Sequence, residues 1–274
     1  MKVNRGMTTS IKGSYSWRVP ATCASLLLAA VLTAGSSASA AIVFSDDFSA
    51  PDGPLVGTTP DVGGTNWTPT VAAATPIQIA GGAAAVKSSG QDDYAGFTTA
   101  VSTTPPGFIT TSLDVNVSAA QAGGDYFSHL SNPLGTTSVF VQRLFARSTT
   151  GGFQLGLVDT SGTGSTITYG ATPLLFNTTY DVDVNWVFVP GANNDTFTVT
   201  VNNLPYLVHN WTSATPEPPA LAAANLRQGS AGSAPTLSVD NLVVNFTAIP
   251  EPSTLILGGM FGLLGVACRK RGGL

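Results

Sequence analysis

The feature that most constrains this chain is a period-two alternation of apolar and polar residues that recurs along its middle. Tyr180, Val182, Val184, Trp186 and Phe188 alternate with Asp181, Asp183 and Asn185. Leu113, Val115 and Val117 alternate with Asp114, Asn116 and Ser118, and Phe197, Val199 and Val201 with Thr196, Thr198, Thr200 and Asn202. Successive side chains of a strand point to opposite faces, so each run predicts a half-buried antiparallel strand with one face in a core. Further strands are expected around 77–80, 83–87, 139–147, 153–158, 165–169 and 237–246, separated by turn signals such as Gly81-Gly82, Gly123-Gly124 and Gly151-Gly152. No stretch carries a sustained 3.6-residue period. Leu221 to Arg227 is ambiguous: its alanines suit one helical turn, and the preceding Pro216, Pro218 and Pro219 suit a loop.

Many short strands and no internal repeat or linker predict one two-sheet sandwich over residues 41–248, with jelly-roll topology protecting its edges. The core must hold it unaided. Both cysteines, Cys23 and Cys268, lie in the terminal segments, so the sandwich has no disulfide, thiolate nucleophile or cysteine metal site.

Charge is distributed unevenly. Between residues 41 and 250 four basic residues, Lys87, Arg143, Arg147 and Arg227, face fourteen acidic ones, a net charge of −10. A domain that acidic repels phosphate backbones, which argues against nucleic-acid binding.

The termini read as addresses. Lys2, Arg5, Lys12 and Arg18 precede an apolar run from Ala21 to Ala34, and small residues then end in Ala38-Ser39-Ala40. This is the layout of a signal peptide over residues 1–40, cut by signal peptidase after Ala40. Its apolar run is shorter than the roughly 20 residues that span a bilayer. At the other end, residues 249–274 hold Pro250-Glu251-Pro252, a short apolar segment from Thr254 to Cys268 with several glycines, and Arg269-Lys270-Arg271. At about 22 Å as a helix against a roughly 30 Å hydrocarbon core, the apolar segment is expected to be a short, marginal transmembrane helix held by its basic stop, with the positive end cytoplasmic and the sandwich outside.

Those three elements, in that order at the end of the chain, closely resemble the PEP-CTERM sorting signal. The resemblance implies an exosortase-type membrane protease as partner and a Gram-negative, exopolysaccharide-producing host, with the chain membrane-anchored through its C-terminus until processed. It implies nothing about the sandwich.

A second resemblance does. Arg143-Leu144-Phe145-Ala146-Arg147, the Gly-Phe-Gln-Leu-Gly at 152–156, Thr179-Tyr180, Leu237 to Leu242, and the opening Asp46-Asp47-Phe48 with Pro51 to Leu55 are similar to concanavalin A/laminin G-type jelly rolls. The expected architecture is therefore all-β: a concanavalin A-like jelly-roll sandwich flanked by the signal helix and the transmembrane helix. The resemblance implies a fold that often binds glycans.

Catalytic constellations are absent from the pattern. Laminarinase-like relatives of that fold use paired Glu residues about 5 to 5.5 Å apart. Here Glu217 sits in the Pro-rich stretch and Glu251 in the sorting motif, neither with a partner on a strand. Asp181 and Asp183 share a strand face about 7 Å apart, a spacing that a carboxylate pair could use, but the preferred reading is a solvated polar face alternating with a core face. His129 and His209 stand beside no Gly-x-Ser-x-Gly elbow and read as loop or edge residues. No catalytic residue is assigned, and the chain is expected not to be an enzyme.

Two candidate sites remain. Hard cations prefer Asp oxygens, and the resembled jelly rolls often hold a structural ion where first and last strands meet, which points to calcium at Asp47 and Asp240; shaping turns is the competing role for these residues. Trp67 and Trp211, in the turn-like contexts Asn66-Trp67-Thr68 and Asn210-Trp211-Thr212, are the candidate glycan contacts, with plugging the sandwich end as the alternative. Trp186, in phase with the core, is expected buried. The leading function is a noncatalytic cell-surface or matrix protein that contacts exopolysaccharide. A purely structural envelope protein and a glycan-active enzyme are the alternatives.

Overall fold

The computed structural model of the chain describes residues 40–249 apart from 71–74, 88, 104–105, 133–138, 161–163, 190–192 and 230–233. The expected signal helix with Ala38, the transmembrane helix, and the sorting residues Pro250, Glu251, Pro252, Arg269, Lys270 and Arg271 lie outside the described residues.

Among the described residues every regular element is a strand. The first six are β1 (Ala40–Asp46), β2 (Gly53–Pro54), β3 (Thr68–Pro69), β4 (Gln78–Ile79), β5 (Ala84–Val86) and β6 (Asp93–Ser102). Next come β7 (Gly107–Ala119), β8 (Asp125–Ser131), β9 (Phe140–Thr149), β10 (Gly152–Thr160) and β11 (Thr168–Tyr169). The last are β12 (Thr179–Phe188), β13 (Thr196–Val201), β14 (Leu204–Asn210), β15 (Ala220–Leu226) and β16 (Thr236–Ala248).

They form two antiparallel sheets. The first runs β14-β13-β12-β7-β16-β5-β4-β2, and the second β11-β10-β9-β8-β15-β6-β3. The long β16 gives one edge to β7 and shares the other between β5, at Leu237 to Val239, and β1, at Leu242 to Thr247. Neighbours distant in sequence, such as β7 beside β16 and β15 beside β8, are the crossovers of a jelly roll.

The inner faces are what the alternation predicts. Burial alternates along β7 from Gly107 to Val117, along β12 from Val182 to Phe188 and along β13 throughout. A single buried cluster joins Phe44, Trp67, Ile109 and Trp186 to Leu144, Phe153, Leu155 and Leu226 across the two sheets. Trp186 stacks 5.4 Å from Phe197 and 6.2 Å from Trp211. An indole N–H brought into such a core needs an acceptor. Trp67 donates to Asp46 at 2.6 Å, Trp186 to Asp195 at 2.7 Å, and Trp211 to the Ser213 carbonyl at 3.2 Å.

Three sequence expectations are corrected. Leu221 to Arg227 is neither helical turn nor loop: β15 sits mid-sheet, paired with β6 on one edge and β8 on the other. Pairing on both edges overrides alanine's helix preference, and small side chains suit a strand this enclosed, with Ala223 and Ala224 each 1% exposed. Trp67 and Trp211 are not surface rings but core, 1% and 6% exposed, so neither offers a face for stacking a sugar. Their polar neighbours sit at the sandwich rim while the indoles turn inward. His129 is not a loop or edge residue: it lies on β8, inside the second sheet, and is 5% exposed, whereas His209 does lie on the edge strand β14, with its side chain buried at 2% exposure.

Because Trp67 is core, Trp67→Ala should lower unfolding stability by about 3–5 kcal/mol. Urea denaturation of the purified chain at unchanged m-value measures it; a loss under about 1 kcal/mol would place the indole outside the core.

Candidate functional site

Beyond the core, the second sheet has an outer face, and the chain's arginines gather there. On β9 the residues Leu144 and Ala146 join the core cluster, whereas Arg143, Phe145 and Arg147 alternate with them and stay outside it. Register sets the rest. Tyr126 on β8 pairs with Phe145, Phe145 with Gly156 on β10, and Gly156 with Tyr169 on β11. Three aromatic rings thus occupy one row across four strands, and Gly156 makes the gap that Tyr169 fills: a Cβ there would stand 2.5 Å from the Tyr169 ring.

The arginines lie on these rings. Arg147 sits 3.7 Å from the Tyr169 centroid and directs Nε and Nη2 to Gln154 Oε1, its cross-strand neighbour, at 3.1 and 2.9 Å. Arg143 lies 5.0 Å from the Tyr126 centroid and 5.7 Å from that of Phe145, with Nη2 donating to the Thr160 carbonyl at 2.6 Å. Arg227, just past β15, lies 4.2 Å from the Tyr126 centroid and is paired: its Nη1 is 2.8 Å from Asp125 and its Nε 3.7 Å from Asp92. Of the four basic residues between 41 and 250, only Lys87 is absent from this group.

Beneath them is His129. Its ring lies 4.6 Å from that of Phe140 and 5.4 Å from that of Tyr126, and neither ring nitrogen has a hydrogen-bond partner among the described residues. Burial, reinforced by Arg143 and Arg227, pushes its pKa down to about 3, so the imidazole is neutral at physiological pH. Arg143 Nε and the Tyr169 hydroxyl are likewise buried without partners. Burial also lowers the Arg143 pKa and raises those of Tyr126 and Tyr169. The arrangement sets two half-buried tyrosine rings and the buried Phe145 against planar donors and a neutral imidazole.

Other predicted residues are placed elsewhere. His209 takes Thr168 Oγ1 at 2.8 Å on Nδ1, and its Nε2 stands 3.8 Å from Asp159, whose carboxylate gathers backbone N–H groups of Thr160, Thr212 and Ser213. Burial opposes that carboxylate's charge, yet the His209 side chain and then these backbone bonds hold its pKa far below the usual range. This is a structural knot that pins the segment after β14. Asp181 and Asp183 lie on the outer face of the first sheet, where Asp181 opposes Asp114 and Asp114 opposes Asp240. Asp47 is grouped with Asp46 and Asp61, one oxygen of each within 4.8 Å of the others. Asp240, the expected partner of Asp47, lies close enough to feel its charge, while Asp61, not singled out in the sequence, is the third member of the group. All three carboxylates already accept N–H groups, Asp46 from Trp67 and Phe48, Asp47 from Ser49, and Asp61 from Asp47. A groove of about 360 Å³ between β1 and β6, lined by Ile42, Val43, Thr98, Val101 and Phe246 among others, carries no charged side chain.

Comparison with known proteins identifies the tail. Residues 248–271 match the PEP-CTERM protein-sorting motif, which directs export, membrane anchoring before processing and exosortase-type sorting in Gram-negative bacteria. No curated protein matches the sequence. Solved structures similar to the sandwich include the CBM2 module of the evolved Dit of Lactobacillus casei BL23 phage J-1, at 12% identity and a TM-score of 0.49, covering 79% of this chain and 100% of that one. The endo-1,3-beta-glucanase from Streptomyces sioyaensis is 12% identical, with a TM-score of 0.41 over 76% of this chain and 97% of that one. Domain 4 of the GH43 arabinanase AbnA from Geobacillus stearothermophilus is 14% identical, with a TM-score of 0.40 over 79% and 97%. The assignment as a concanavalin A-like jelly roll rests on the strand order, and likeness this distant says nothing about activity.

The neutral His129 has a consequence for stability. Between its unfolded pKa of 6.5 and its folded value of about 3, the unfolded chain binds a proton that the folded chain refuses, so its contribution falls as pH drops through that window. Asp93 and Asp195, raised by burial to about 6, act in the opposite sense between about 6 and 3.8. Comparing His129→Phe with the parent cancels those terms: the variant should gain stability relative to the parent between pH 7.5 and pH 5. An equal difference at both pH values would mean that His129 takes up its proton freely in the fold.

Proposed function

We propose that this chain is an exported, noncatalytic envelope protein that contacts exopolysaccharide through the outer face of its second sheet. The observation that carries the reading is the gathering of Arg143, Arg147 and Arg227 onto the rings of Tyr126, Phe145 and Tyr169 in a domain otherwise acidic. A pyranose offers apolar C–H faces and a hydroxyl edge, and the half-buried Tyr126 and Tyr169 rings bordered by guanidinium donors complement both.

The noncatalytic part rests on the disposition of carboxylates. Asp92 and Asp125, the acids beside the cluster, are both ion-paired to Arg227. Glu217 accepts the Asn193 backbone N–H at 2.7 Å. None of these is a carboxylate pair free to act as acid and base on a bound sugar.

A glycan array probed with the full chain in detergent tests the reading. Saturable binding is expected, weakened about tenfold in Tyr169→Ala or Arg147→Ala, the size of one desolvated cation–ring contact, with no release of reducing ends. Absence of binding by the folded chain would favour a structural envelope role without a ligand, and release of reducing ends would make it an enzyme.

A further inference from the structure

Among the described residues Arg143 has no carboxylate within ion-pair distance, unlike Arg227 with its two. Asp159, the acid that acts on it electrostatically, gives its oxygens to Thr160, Thr212 and Ser213. Its guanidinium is half-buried between two rings, bonded to the neutral Thr160 carbonyl and to Tyr126, with Nε without a partner among the described residues. A cation withdrawn from water without a counterion is costly unless an anion completes the site. Beside it His129, 5% exposed, keeps two unpartnered ring nitrogens, a donor and an acceptor in the neutral ring. Unpaired charge and unpaired imidazole meet at the same Tyr126 ring.

We propose that Arg143, with His129 and Tyr126 beside it, holds the carboxylate of an acidic sugar residue. The assignment rests on the polysaccharide-contact reading above and names its substrate class. A planar carboxylate matches the guanidinium fork with two parallel bonds, and the imidazole N–H adds a third donor. The rest of the domain limits how many such groups are read at once. Its net charge of −10 repels a dense polyanion, so the cluster suits a polysaccharide whose acidic residues are set among neutral ones.

The test compares a hexuronic-acid-containing oligosaccharide with its carboxyl-reduced derivative, which differs only by CH2OH in place of the carboxylate, using the full chain in detergent. The acidic form should bind about ten- to a hundredfold more tightly. Arg143→Gln should bind both forms alike, and Arg143→Lys, which retains charge without the fork, should recover only part of the preference. Equal binding of both forms by the parent overturns the acidic-sugar assignment while leaving glycan contact intact. Binding of neither, by a chain shown to be folded, removes both. If the chain instead self-associates and Arg143→Gln abolishes it, the counterion is an acidic surface of a second copy, such as the Asp114, Asp181 and Asp240 row, and the proposal fails.

Discussion

The sandwich has no covalent brace, so everything depends on how its aromatic core is anchored. Each buried indole carries one N–H that must be met, and the chain meets two of the three with buried aspartates supplied by adjoining segments: Asp46 at the end of β1 for Trp67, and Asp195 before β13 for Trp186. The same carboxylates accept backbone N–H groups, Asp46 from Phe48 and Asp195 from Val189, so one oxygen pair fixes a core ring and the turn beside it. Burial raises the pKa of both, Asp195 to about 6, which marks the cost of placing them there.

That anchoring decides what is left for the surface. With Trp67, Trp186 and Trp211 committed to the interior, and Phe145 no more exposed than Trp211, the rings of the arginine face open to contact are the half-buried Tyr126 and Tyr169. The two outer faces differ in character. The first sheet presents the aspartates 181, 114 and 240 in register, like charges that repel across strands, whereas the second presents arginines lying on rings. Lining up Tyr126, Phe145, Gly156 and Tyr169 requires no loop rearrangement, only pairing of four strands, so the face is as rigid as the sheet.

How much of this can be read without coordinates follows from the range of each signal. The alternations at 113–117, 180–188 and 197–201 are local, and each appears as a strand with the expected face buried. β15 could not be read locally, because its conformation is imposed by partners some 90 to 130 residues earlier in the chain. Trp67 and Trp211 misled for a related reason: polar neighbours describe the backbone's exposure, while the indole's burial depends on which sheet it turns toward. The arginine face was half legible. Arg143, Phe145 and Arg147 alternate on one predicted strand, with half of the domain's basic residues, and could have been read as one face. Bringing Tyr126, His129, Tyr169 and Arg227 to it takes the register of five strands, which periodicity does not supply. The Asp46, Asp47 and Asp61 corner is similar, since Asp61 arrives through a turn held by the Ser45–Val62 bridge.

The central claim is that the working face is the ringed arginines of the second sheet and not the tryptophan-bearing ends of the sandwich. Side-chain NMR of the chain titrated with polysaccharide from an exopolysaccharide-producing Gram-negative bacterium addresses it directly, reading arginine Nε–H, histidine ring and indole N–H signals together. The account predicts shifts at Arg143, Arg147 and His129 with the Trp67 and Trp211 indoles unmoved. Shifts centred on either indole, with the arginines silent, would contradict it.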